Sequence, residues 1–140
     1  MKPNVQIKKI SEAPNLQLLK DTFGVSETDL IVAYGDAIYC PEMGMSKDLL
    51  VHEMTHCERQ GFNVRTAERW WDKYYESESF RECEEVLAYH RQYEFCCRVY
   101  KDRNKQHKIL WAMANELTSK RYKLEISHSK AMSEIKTGMR

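Results

Sequence analysis

The sequence predicts an α+β fold, with a small antiparallel sheet or hairpin at the N-terminus followed by a helical bundle. Residues 5–10, "VQIKKI", alternate apolar and polar side chains, and "DLIVAYGDAIYC" contains two β-rich runs that would form a hairpin at Gly35-Asp36. Residues 79–101 and 106–122 instead carry apolar side chains at helical spacing. Strands that precede helices in one chain are typical of α+β domains.

Cap and turn residues mark the ends of the predicted helices. The stretch "APNLQLLKDTFG" is predicted to be a short helix with Pro14 near its start and Gly24 at its end. Ser46 is a suitable N-cap for the next helix, which contains "LLVHEMTHCERQ" and should end at Gly61. A further helix is predicted within residues 66–75. The polar stretch "ISHSKAMSEIKTGMR" is compatible with a helix or a loop.

Length and composition predict one domain over residues 1–140. Apolar residues make up 42% of the chain, which is enough for a packed core. We expect a domain core over about residues 5–104 and a basic, helical C-terminal extension over about residues 105–140. From Arg98 to Arg140 there are eleven basic residues against four acidic ones. Such a segment is usually a solvated helix face, and nucleic acid or an acidic protein partner is the alternative.

The cysteine pattern and the N-terminus predict a cytoplasmic protein. The five cysteines are an odd number without a CxxC pair, which argues against a disulfide framework. The first residues lack the apolar core of a secretion signal. No run approaches the roughly 18 apolar residues that a membrane helix needs, so we expect no membrane partner.

The stretch "LLVHEMTHCERQG", residues 49–61, carries the chemistry that stands out. His52 and His56 are four residues apart, so a helix presents both imidazoles on one face to a single zinc ion. Glu53 lies about 100° further round the helix, where it reaches a water on the metal rather than the metal. A catalytic zinc lowers the pKa of its water to about 7, and a neighbouring carboxylate can pass the proton to a leaving amine. This is the chemistry of peptide hydrolysis.

The same pattern also arises by chance, so its context matters. The apolar "LLV" before His52 indicates that the helix is buried rather than exposed. His52, Glu53, His56 and Gln60 would then form a polar stripe on a buried helix. Buried polar groups without partners are costly, and a metal ion is the simplest partner that they could share.

The third metal ligand is not adjacent to the motif. The pattern HExxHxxGxxH is excluded because Arg59 and Phe62 stand where it needs glycine and histidine. A later histidine remains open as a ligand, and the candidates are His90, His107 and His128. A glutamate on a second helix is the other option.

The stretch "FRECEEVLAYHRQY", residues 80–93, favours the glutamate. At 100° per residue, Glu85 shares a helix face with Ala88, Tyr89 and Gln92. The small side chain of Ala88 would let this helix approach another one closely, so that Glu85 reaches the metal. Glu82 and Glu84 are interpreted as part of a solvated acidic face.

"HEMTH" followed about thirty residues later by "FRECEEVLAY" resembles the small gluzincin-type zinc metallopeptidases. More narrowly, it resembles short metallopeptidase-like proteins encoded by bacteriophages. The resemblance covers roughly residues 30–95. It implies a minimal zincin-like core, a zinc ion held by His52, His56 and Glu85, and Glu53 as the general base. It also implies a peptide or protein substrate and, for a phage protein, a place in the host cytoplasm or the virion.

Two further expectations follow from the resemblance. In gluzincin folds the strand before the motif helix is the sheet edge over the cleft, which here is residues 37–40, and a peptide can add to such an edge. A hydrolase of this type needs a donor to the oxyanion of the tetrahedral intermediate, and the candidates are Tyr89, His90, Tyr93, Tyr74 and Tyr75. Tyr89 is the best placed of them, one turn past Glu85. The alternative functions are a non-catalytic particle protein pinned by zinc, and a nucleic-acid-associated protein that uses its basic C-terminal helices.

Overall fold

The computed structural model describes residues 4–139, which form one small sheet and a set of helices. The order of elements along the chain is strands first and helices after, apart from a short helix between the first two strands. The predicted α+β class is confirmed. The helices are α1 (Leu16–Phe23), α2 (Lys47–Arg59), α3 (Val64–Glu76), α4 (Glu78–Val99), α5 (Arg103–Leu117) and α6 (His128–Thr137).

The sheet contains the predicted hairpin and one strand added in parallel. Strand β2 (Val32–Tyr34) pairs antiparallel with β3 (Ala37–Cys40), and β1 (Gln6–Lys9) pairs parallel with β3. The sheet is therefore mixed rather than purely antiparallel. Helix α1 and strand β2 lie between β1 and β3 along the chain, and this long connection allows β1 and β3 to run in the same direction. The turn glycine, Gly35, has a φ of 65°, and a side chain there would meet the backbone of Asn63 at 3.0 Å.

Strand β3 lies at the centre of the sheet, in the order β1-β3-β2. The expectation that residues 37–40 form the sheet edge over the cleft is therefore wrong. All four side chains of β3 are buried, and β1 occupies the side of β3 that a peptide would need. Sequence alternation locates a strand but does not reveal which neighbour pairs with it.

Two apolar cores flank the motif helix. The first joins the sheet and α1 to α3, whose Trp70, Trp71 and Tyr74 are buried. The second joins α4 to α5 and α6, with Leu117 and Ile135 fully buried. The segment from residue 105 onward, predicted as an extension outside the core, thus contributes α6 and most of α5 to this second core. The last polar stretch of the sequence forms α6, and Ile135 on this helix is buried in the second core.

Helix α2 packs along α4, and this contact determines the site. Ser46 occupies the predicted N-cap position of α2. The helix ends at Arg59, and Gly61, two residues later, has a φ of 75°. Ala88 is fully buried on the α4 face that also carries Glu85. Within residues 4–139, no helix combines the length and apolar character that crossing a membrane requires.

Candidate metal centre

Helices α2 and α4 bring two imidazoles and a carboxylate to one point. Nε2 of His52 lies 3.1 Å from Oε1 of Glu85, and Nε2 of His56 lies 3.2 Å from the same oxygen. The three side chains are buried, and their ligand atoms lie within 4.8 Å of one another. Ligands about 2.0–2.1 Å from one tetrahedral ion would stand roughly 3.3 Å apart. His52, His56 and Glu85 could therefore hold a metal ion.

The other histidines considered as ligands are engaged elsewhere. Nδ1 of His90 contacts the carbonyl oxygen of Ile135 at 2.7 Å. Nε2 of His128 contacts the carbonyl oxygen of Trp111 at 3.2 Å, and His107 is exposed on α5. The structure thus brings Glu85, and none of these three histidines, to the pair on α2.

Glu85 is fixed by a tyrosine that the sequence suggested only as one of several possible oxyanion donors. The hydroxyl of Tyr74, on α3, donates to Oε2 of Glu85 at 2.6 Å, while Oε1 faces the imidazoles. Burial would raise the pKa of Glu85, but the imidazoles of His56 and His52 outweigh it and hold that pKa well below the usual carboxyl range. The carboxylate is therefore in the anionic form that a metal ligand needs.

The imidazole of His52 is oriented by a chain of side chains. Nδ1 of His52 lies 3.0 Å from Oε1 of Gln92, and Nε2 of Gln92 donates to Asp48 at 2.8 Å. Burial would raise the pKa of Asp48, but hydrogen bonds from Ser46 and Gln92 outweigh it and lower that pKa. Because a carboxylate only accepts, Gln92 must turn its amide oxygen to His52, which donates from Nδ1. Nε2 of His52 is then the nitrogen that could bind a metal ion, and partners of this kind tune metal sites.

His56 has no comparable support. Its ring packs between His52 and Trp70, with ring centroids 4.9 Å and 5.2 Å away. Its Nδ1 atom is buried and has no hydrogen-bond partner among the described residues. The orientation of this candidate ligand therefore depends on ring packing.

Glu53 lies beside the three candidate ligands and does not belong to their group. Its side chain is 8% exposed and lines the same cavity. Burial, reinforced by the charge of Glu85 and opposed by His52 and Arg121, raises the pKa of Glu53 to about 7. A carboxyl group with a pKa near the working pH can both accept and return a proton.

Two cavities meet at the site. The inner cavity, about 60 Å³, is lined by all three candidate ligands. It exceeds the roughly 10–15 Å³ that one water needs, so an ion and a water fit. The outer cleft, about 490 Å³, falls within the range of about 300–1,000 Å³ that is usual for ligand pockets. The two cavities share the lining residues Ile31, His52, Glu53, Arg121 and Tyr122.

Tyr89 lies near the site but behind another tyrosine. Its ring packs against His52 with centroids 4.4 Å apart, and its hydroxyl lies 2.7 Å from that of Tyr122. Tyr89 lines only the outer cleft, whereas Tyr122 lines both cavities. The catalytic role of Tyr89 stays a prediction. Arg121 and Tyr122 escaped the sequence reasoning because they follow α5, far along the chain from both motifs.

Two glutamates next to the third candidate ligand are not solvated, so their interpretation as an acidic face is wrong. Glu84 is 2% exposed and accepts hydrogen bonds from Trp70 at 2.7 Å and from Arg59 at 3.1 Å. Glu82 is also buried, on the side of α4 that faces α6. Because α4 is surrounded by other helices, faces that looked solvent-exposed in the sequence are covered.

Comparison with known proteins assigns no relative. No protein-family model matches the chain, and no curated protein or solved structure is significantly similar to it. The function of the chain is therefore inferred from the geometry and chemistry of its site.

Proposed function

We propose that the protein is a zinc-dependent peptidase in which Glu53 is the general base. The observation that carries the proposal is the convergence of two imidazole nitrogens and one carboxylate oxygen beside a cavity that Glu53 also lines. The likeness of "HEMTH" and "FRECEEVLAY" to gluzincin-type metallopeptidases supports the same reaction.

The donor set favours zinc over harder cations. Calcium and magnesium prefer sites made of oxygen ligands, whereas two imidazoles with one carboxylate are a ligand set of catalytic zinc. Zinc bound there would act as a Lewis acid, which polarises a carbonyl group and makes water ionise near neutral pH. Three protein ligands beside an open cavity also fit a catalytic site better than a structural one, where four protein ligands close the coordination.

The protein's own residues account for the movement of protons. Glu53 borders both cavities, so it reaches a water in the inner cavity and a substrate that enters from the cleft. It takes the proton of the attacking water and returns it to the amine when the C–N bond breaks. Tyr74 and Gln92 hold Glu85 and His52 in place during these steps.

The outer cleft is the route for the peptide. Strand β2 is an edge strand, but the carbonyl oxygen of Ala33 already accepts hydrogen bonds from Gln60 and Trp71, at 3.0 Å and 3.1 Å. The cleft instead opens between α2, α4 and α5, with Leu49, Ile109 and Met113 among its apolar walls. A peptide side chain can bury apolar surface there while its carbonyl group reaches Glu53.

A comparison of two glutamate variants on α2 tests the proposal. With zinc-loaded protein and a library of quenched fluorescent peptides, Glu53→Gln should abolish cleavage and keep the metal. Glu58→Gln, on the same helix but exposed and paired with Arg91, should cleave like the wild type. Cleavage by Glu53→Gln at the wild-type rate contradicts the mechanism. Bound zinc without any cleavage by the wild type would indicate a structural metal.

A further inference from the structure

Arg121 lies where the two cavities meet. Its side chain, 30% exposed, lines the inner cavity beside the candidate ligands and also lines the outer cleft. It belongs to the segment between α5 and α6, so neither sequence motif includes it. A peptide in the outer cleft therefore lies beside this guanidinium and beside Glu53, which also lines both cavities.

The guanidinium of Arg121 is only loosely held by the protein. Nη2 lies 3.4 Å from the carbonyl oxygen of Asp29, and Nη1 lies 3.7 Å from Glu116. Both distances exceed the roughly 2.7–2.9 Å of a charge-assisted hydrogen bond. Arg81, by contrast, donates to the carbonyl oxygens of Tyr122 and Tyr74 at 2.7 Å each. Arg121 therefore keeps donor capacity for a group that enters the cleft.

The backbone that carries Arg121 is nevertheless fixed. The buried Arg81 binds the carbonyl oxygens of Tyr122 and Lys123, the two residues that follow Arg121. The Arg121 guanidinium also lies 5.2 Å from the centre of the Tyr122 ring. The backbone position of Arg121 is therefore set before a substrate enters, and only the end of its side chain has to turn toward a developing negative charge.

The charge around the cleft indicates which kind of group Arg121 meets. It is the only lysine or arginine among the described residues that line the cleft, and its acidic neighbours there are Asp29, Asp48, Glu53 and Glu116. A substrate side chain that carries a permanent negative charge would meet these carboxylates along the cleft and be repelled. A neutral carbonyl oxygen is not repelled, and it gains negative charge only as water adds to the carbonyl carbon.

We propose that Arg121 is a catalytic residue that stabilises the oxyanion of the substrate carbonyl group, an inference that rests on the peptidase function proposed above. As the water oxygen bonds to the carbonyl carbon, the π electron pair moves to the carbonyl oxygen and Glu53 takes the water proton. Arg121 stays protonated and donates hydrogen bonds to that oxygen. When the C=O bond forms again, the C–N bond breaks and the amine takes the proton from Glu53.

Kinetics of Arg121→Gln on a peptide that the wild type cleaves provide the first test. We expect kcat to fall about 100-fold or more, as for loss of an oxyanion donor, with KM unchanged. Arg121→Lys, which keeps the charge, should recover part of kcat. Lys120→Gln removes an equal charge outside the cleft and should match the wild type. The inference is overturned if kcat is unchanged in Arg121→Gln, or if the only change is a higher KM for peptides that carry a carboxylate. Either result leaves the peptidase proposal standing.

Ligand binding provides a second test that does not depend on turnover. A phosphinic peptide analogue imitates the tetrahedral anion. A peptide of the same sequence, chosen because it is cleaved too slowly to disturb the measurement, imitates the ground state. By calorimetry on zinc-loaded protein, Arg121→Gln should bind the phosphinic analogue about 100-fold more weakly and the peptide with wild-type affinity. Equal effects on both probes overturn the inference. If the wild type cleaves no peptide, the peptidase proposal fails, and this comparison alone decides whether Arg121 recognises the anion.

Discussion

Tyr74 and Glu85, on adjacent helices, share a hydrogen bond of 2.6 Å in the buried centre of the protein. Because the hydroxyl occupies Oε2, Oε1 is left to face His52 and His56. We predict that Tyr74→Phe lowers the zinc affinity about 10- to 100-fold, as expected for loss of a group that orients a ligand. Competition with a chromophoric chelator measures this. Tyr75 lies on the same helix as Tyr74, and its hydroxyl accepts a hydrogen bond from Asn15. Tyr75→Phe is therefore the matched control and should bind zinc normally.

Gln92 connects His52 to Asp48, and this connection can be tested separately. Gln92→Met keeps the length of the side chain but removes the acceptor for Nδ1 of His52, so we predict a loss of zinc affinity of about 10-fold or more. Asp48→Asn should have a smaller effect, because the Gln92 amide can then turn either way. Wild-type affinity in Gln92→Met would show that ring packing alone orients His52.

The buried Glu53 predicts a pH dependence of stability in the metal-free protein. Its folded pKa of about 7 lies above the ordinary 4.5, so its contribution to stability is complete below about pH 4.5 and is lost as the pH rises through 7. Glu53→Gln imitates the protonated form. In urea denaturation with a chelator present, it should match the wild type at pH 4.5 and exceed it by up to about 3 kcal/mol at pH 9. The same difference at both pH values would contradict the assignment.

Glu134, on α6, predicts a second pH effect away from the metal centre. Burial and the neighbouring Glu82 raise the pKa of Glu134, and Lys130 opposes them. The stability that its protonation provides is present at low pH and is lost as the pH rises through the raised pKa. Glu134→Gln should therefore be more stable than the wild type above pH 7, with a gap that narrows at pH 4. Glu125→Gln, exposed before α6, is the control for loss of one negative charge.

The group of three candidate metal ligands could be predicted from sequence because the position of each member has a local cause. The spacing of His52 and His56 places both on one helix face, and the face of Glu85 follows from the 3.6-residue turn. That helix also carries the small Ala88, which indicates close packing. The hairpin was predictable for the same reason, since Gly35 and its flanking β-rich runs lie within a few residues of one another.

The features of the site and the sheet that the sequence did not predict depend on which segments meet in three dimensions. Tyr74 was among the tyrosines considered for the site, but no periodicity predicts its contact with Glu85. Arg121 and Tyr122 come from the segment after α5, and no periodicity places them beside α2 and α4. The burial of Glu84 likewise depends on Trp70 and Arg59, which lie 14 and 25 residues away along the chain. The parallel pairing of β1 depends on the path of the chain around α1.

Elemental analysis of the purified protein tests the central claim most directly. We predict about one zinc ion per chain in the wild type and in Glu94→Ala, an exposed glutamate variant on α4. Glu85→Ala and His56→Ala should lose the ion, with circular dichroism used to check that both remain helical. Absence of zinc from the wild type after growth and purification with zinc, or its full retention in Glu85→Ala, would contradict the account.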